Sequence, residues 1–118
     1  MSLYQLSFLG DAVFELLVRE YAISKNIVKL NDLQEFTLKY VSAKRQAFFA
    51  DILINKGFLT EEEQDVLRKG RNIKTHKSPK NCDIITYKYA TALEILMGYL
   101  YVNDKKRLDE VFNFIIKL

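Results

Sequence analysis

One cysteine, one proline and four glycines are all that 118 residues contain, and there is no tryptophan. Each scarcity excludes something. A lone Cys82 forms no internal disulfide, which fits a reducing compartment. One histidine, His76, with no cysteine cluster around it, argues against a zinc site and against a nucleophile–histidine triad. So few turn-forming residues disfavour an all-β fold. No apolar run is long enough to span a bilayer. No basic segment with a small-residue cleavage site follows Met1. A cytoplasmic protein without a membrane partner is therefore expected. The net charge of +3 is too small on its own to imply a nucleic-acid partner.

What is present reads as helix. Hydrophobic residues make up 49% and charged residues 28%, the balance of a globular chain rather than a disordered one, and the length suits one domain. A first helix is expected from about Leu3 to Ile23, broken by "SKNIVK". Asn31 and Gln34 have capping-box spacing for a second, "DLQEFTLKYV". Ser42 suits the N-cap of a third, which Gly57 would stop. Thr60 and Glu63 form a stronger capping box, with acids in the following turn and bases in the last. After the polar stretch "NIKTHKSPKNCD" a long helix is expected from about Ile84, and Asp104 suits the cap of the last. Short connections between such helices predict an all-α, bundle-like fold.

Two of these helices carry acids among apolar neighbours. In "LSFLGDAVFE", Gly10 and Asp11 interrupt a core-like pattern, at a cost to helix propensity. In "ATALEILMGYLYV", Glu94 stands between Leu93 and Ile95. Ser7, Asp11 and Glu15 share one helix face, as do Thr91, Glu94 and Gly98. If the two helices pack together, Asp11 and Glu94 meet. The plain reading is that such acids lie on a solvated face and that Glu15 only pairs with Arg19, four residues on. The functional reading is a carboxylate pair holding Mg²⁺, a hard ion that takes oxygen ligands and supports phosphoryl displacement. Between Arg68 and Lys80 lie Arg68, Lys69, Arg71, Lys74, Lys77 and Lys80, with no acid until Asp83. Asn72, Ser78 and Asn81 add neutral donors. Such a segment suits phosphate contacts, although a basic loop is often only solvated. Tyr87, Tyr89, Tyr99 and Tyr101 read as core-edge aromatics rather than base-stacking platforms.

The stretch "LSFLGDAVFE" resembles the signature helix of ribonuclease III catalytic domains, in which a glutamate usually stands four residues before the aspartate of "GDA". Here Ser7 takes that place. The family's second acidic motif has aspartate three residues before glutamate; here the pair is Thr91 and Glu94. With "VSAKRQA", "LTEEEQDVLRKGRN", "SPKNCD" and "TYKYATALEILMGYLY" following in order, the chain is similar to the Mini-ribonuclease III branch. Cys82 stands where that branch is expected to have threonine, and is read as a tolerated small residue.

The resemblance implies an all-α ribonuclease III-type endonuclease domain over residues 1–118, with no double-stranded-RNA-binding domain. It implies a homodimer that uses Mg²⁺ to cut double-stranded RNA, one strand per subunit, leaving 5′-phosphate and 3′-hydroxyl ends. The implied biological substrate is precursor large-subunit (23S) ribosomal RNA. Asp11 and Glu94 are the implied catalytic, metal-binding residues, with Ser7, Glu15 and Thr91 around them. Arg68, Lys69, Arg71, Asn72, Lys74, Lys77, Lys80 and Asn81 are the candidate RNA contacts. The absence of two acids keeps an alternative open, a non-catalytic RNA-binding ribosome-assembly factor with a degenerate site.

Overall fold

Six helices and no strand make up the described part of the chain, residues 1–74 and 82–118 of a computed structural model. They are α1 (Leu3–Ser24), α2 (Leu30–Val41), α3 (Ala43–Asn55), α4 (Glu61–Arg71), α5 (Ile84–Asn103) and α6 (Lys105–Ile116). The expected caps are largely in place. Ser42 accepts from the Arg45 amide at the start of α3. Thr60 and Glu63 close a reciprocal capping box on α4, and Asp104 accepts from the Arg107 amide on α6. Gly57 ends the α3 turn at φ +67°, a left-handed conformation that glycine adopts without a Cβ penalty.

The start of α2 departs from the sequence reading. The helix begins at Leu30, capped by the backbone of Lys29 with no side-chain bond, so Asn31 lies inside the first turn. Tertiary packing outweighs the capping signal here. Phe36 meets Tyr21 of α1 tilted and Tyr40 meets it edge-on, with ring centroids 5.8 and 6.1 Å from the tyrosine, and this contact sets the phase of α2.

Helix α5 is the axis of the fold, apolar all round, as a helix enclosed by others must be. It packs against α1, α3, α4 and α6. Leu93, Ile95, Leu96 and Met97 are fully buried. Around it Phe14 meets Phe49 and Phe112 edge-on, at 6.2 and 6.0 Å, so α1, α3 and α6 close on one aromatic centre. No described helix is long and apolar enough to cross a membrane.

Candidate active site

The helices that carry the two acidic motifs, α1 and α5, cross at glycines. A Cβ added to Gly10 would lie 1.6 Å from the Glu94 carbonyl oxygen, and one added to Gly98 would lie 2.2 Å from that of Leu6. No side chain fits at either place. The glycine inside the first motif therefore serves backbone-to-backbone contact between helices, and this contact brings the residues beside it together.

Ser7, Asp11, Thr91 and Glu94 gather at this crossing. The Ser7 hydroxyl donates to Glu94 Oε1 at 3.2 Å. Burial pushes the Glu94 carboxyl up to about 8, and the charge and hydrogen bond of Asp11 add to the rise, while the Ser7 hydrogen bond opposes it. A hydrogen bond between two carboxyls requires a proton between them, and a cation can take that proton's place. The two acids differ in exposure. Asp11 is exposed, as the plain reading of an acid in such a helix has it. Glu94 carries the desolvation. Thr91 is buried one turn before Glu94. Glu15 does not join them. It pairs with Arg19 at 3.1 Å and lines the groove between α1 and α2, the plainer of the two readings offered for it.

The donor set bears on the metal question. Among the described residues no group of three or more His, Cys, Asp or Glu side chains gathers as a cage. The site has two carboxylates and two hydroxyls, all oxygen. Mg²⁺ suits such a set, because it is commonly bound through one or two carboxylates and keeps several waters. The like-charged pair, one member desolvated, also favours a bound cation electrostatically. The residues present therefore fit a hard divalent ion.

The basic segment reaches this site at Lys74. Arg68, Lys69 and Arg71 form the last turn of α4, and Asn72 is its C-cap. Lys69 is paired with Asp65 at 3.1 Å, an acid one turn earlier that partly offsets its charge. Arg71 lies 6.0 Å from the Tyr89 ring and donates to Asn72 Oδ1 at 3.4 Å. Lys74 is exposed, and its carbonyl accepts from Tyr4 Oη at 3.1 Å. Ile73 and Lys74 share a cleft with Ser7 and Thr91. Lys77, Lys80 and Asn81 lie outside the described residues, as do His76 and Ser78. The role of Tyr4 in tying Lys74 to α1 carries no sequence signal, since the two residues are 70 positions apart. Of the four tyrosines read as core-edge, Tyr87, Tyr89 and Tyr99 are half-buried, while Tyr101 is exposed with Lys105 over its ring.

An all-helical domain with paired acids at a glycine crossing and bases alongside has the makings of a phosphodiester-cleaving site. Residues 4–105 match the Ribonuclease III domain family. Mini-ribonuclease 3 of Enterococcus faecalis is 42% identical over 113 residues, covering 95% of this chain and 86% of that protein. Mini-ribonuclease 3 of Brevibacillus brevis is 47% identical over 107 residues, covering 90% and 78%. A crystal structure of a Fusobacterium nucleatum protein agrees in fold with a TM-score of 0.86 at 30% identity, over 99% of this chain and 94% of that one. The chain belongs to the ribonuclease III family. Its activity is that of an endoribonuclease.

Proposed function

We propose that this chain is a Mg²⁺-dependent endoribonuclease for double-stranded RNA, in which Asp11 and Glu94 hold the ion. The observation that carries the reading is the meeting of Asp11 and Glu94 at the α1–α5 crossing, one exposed and one desolvated. When bound, Mg²⁺ supplies charge for the phosphoryl oxygens and lowers the pKa of attacking water. Asp11, open to solvent, offers its oxygens on the substrate side. Glu94 anchors from within, and the glycine contact keeps its backbone at a set distance from α1. Lys74, which shares a cleft with Ser7 and Thr91, is taken to contact phosphates, with Arg68, Lys69, Arg71, Asn72, Lys77, Lys80 and Asn81 as the further RNA contacts of this reading. Cleavage leaves 5′-phosphate and 3′-hydroxyl ends.

The same reading takes residues 1–118 as a catalytic unit working in the cytoplasm on precursor 23S ribosomal RNA. It also takes the active form as a homodimer, each subunit cutting one strand. An exposed apolar stripe on α1 supports this. Tyr4, Phe8, Leu16 and Ile23 face outward, with Phe8 85% exposed, and Leu30 and Leu38 of α2 continue the patch.

The test is cleavage of a long RNA duplex with Mg²⁺ and with chelator, by wild type, Asp11→Asn and Glu94→Gln. The expected result is metal-dependent cutting reduced by on the order of a hundred-fold or more in each variant. An equally well-cleaved DNA duplex of the same sequence would refute the preference for A-form RNA. RNA binding without cutting under any divalent metal would point instead to the assembly-factor role.

A further inference from the structure

Ser7 stands on α1 at its crossing with α5, one turn before Asp11. Its hydroxyl is not idle. It donates to Glu94 Oε1 at 3.2 Å from the turn of α1 that precedes Asp11. A donor on one carboxylate oxygen limits the side chain's rotation and leaves the other oxygen to face a ligand. The bond is held in register by the backbone contact at Gly10 and Gly98, which keeps α1 from sliding along α5.

The space around Ser7 is the second observation. Ser7 and Thr91 line a half-open cleft of about 350 Å³, together with Tyr4, Lys74 and Tyr87. Position 7 therefore has open space beside it. Ser7 is thus both an anchor for Glu94 and the short residue that leaves the ion site with two carboxylates.

We infer that Ser7 is a positioning residue that orients Glu94 toward a divalent cation, and that a hydroxyl at this position sets how weakly the site holds that cation. The inference rests on the proposed metal site at Asp11 and Glu94. In the chain as it stands, Ser7→Ala loosens Glu94 and weakens the site. Ser7→Thr keeps a hydroxyl and restores it. Ser7→Glu places a third carboxylate in the cleft and tightens it.

The experiment is Mn²⁺ titration of the full chain without RNA, followed by electron paramagnetic resonance of the free ion, beside cleavage as a function of Mg²⁺ concentration. Ser7→Ala is expected to weaken Mn²⁺ binding roughly ten-fold, Ser7→Thr to bind as wild type does, and Ser7→Glu to bind roughly ten-fold tighter. In cleavage, the Ser7→Ala defect is expected to shrink at high Mg²⁺, which a merely structural defect does not do. Equal Mn²⁺ affinity in wild type, Ser7→Ala and Ser7→Glu, with wild type cutting and Asp11→Asn blind to Mn²⁺, overturns the role of Ser7 and leaves the metal site standing. A wild type that takes up no Mn²⁺ overturns both.

Discussion

Glu63 and Glu94 are both withdrawn from solvent, and their titrations run in opposite directions. Burial raises the Glu63 pKa, but Arg107 and the Thr60 amide outweigh it and hold the carboxyl below its ordinary 4.5. Arg107 grips both oxygens, at 2.8 and 2.9 Å, and also donates to the Phe58 carbonyl. Stability from Glu63 is therefore present above pH 4.5 and lost as pH falls through its lowered folded value. Removing the guanidinium in Arg107→Ala leaves a buried carboxylate without its partner, and a cost on the order of 3 kcal/mol is expected in urea unfolding at neutral pH. Glu94 does the reverse. With its carboxyl at about 8 in the metal-free fold, the native state binds a proton that the unfolded chain releases above 4.5. Its contribution is full below pH 4.5 and is lost as pH rises toward 8. In chelator, Glu94→Gln is accordingly expected to melt higher than wild type at pH 8 and to lose that advantage near pH 4.5. A constant difference across this range would refute the assignment. Asp11 and Glu94 were legible as candidates because acids inside apolar helices are costly. The Arg107 grip on Glu63 was not, because the two are 44 residues apart and Glu63 is already accounted for as a capping residue.

At the scale of helices, the crossing of α1 and α5 governs the site. Gly10→Ala would thrust a methyl into the Glu94 carbonyl, so the helices must part. A loss of at least about 2 kcal/mol is expected by thermal or urea unfolding, with cleavage falling further than stability alone explains. Gly98→Ala is expected to behave alike, since its Cβ meets the Leu6 carbonyl. If either variant keeps wild-type stability, the crossing is looser than described. Tyr4 supplies a second link, from α1 to the chain leaving α4. Tyr4→Phe removes one exposed hydrogen bond, so little change in melting is expected, while RNA affinity is expected to fall through a less fixed Lys74. Most helix boundaries were readable, because serine, threonine, aspartate and glycine act locally as caps. The start of α2 was not, because aromatic packing on Tyr21 decided it.

For the molecule as a whole, the apolar stripe on α1 and α2 bears on assembly. Phe8→Glu is expected to convert a dimer into monomers by light scattering while leaving the helical content and melting of each chain close to wild type, since Phe8 is exposed and outside the core. A monomeric wild type at the concentrations used for cleavage would remove the dimer from the proposal. The charged contacts predict an affinity for RNA that falls steeply with salt, as each phosphate contact releases a counterion. The loss between low and moderate salt should be evident in a filter-binding titration.

By itself the sequence determined the helical class, most of the caps, the two acids and the stretch of bases, because helix periodicity, capping and charge are properties of neighbours along the chain. Only the tertiary structure decided that Gly10 faces Gly98, that Ser7 reaches Glu94 and that Tyr4 fastens Lys74 beside them. It also decided that Asp11 is exposed while Glu94 carries the desolvation. These depend on how closely two helices approach and at what rotation, and that is settled by shape complementarity over the whole core, centred on α5. Side chains 70 or more positions apart become a site only after that packing is complete.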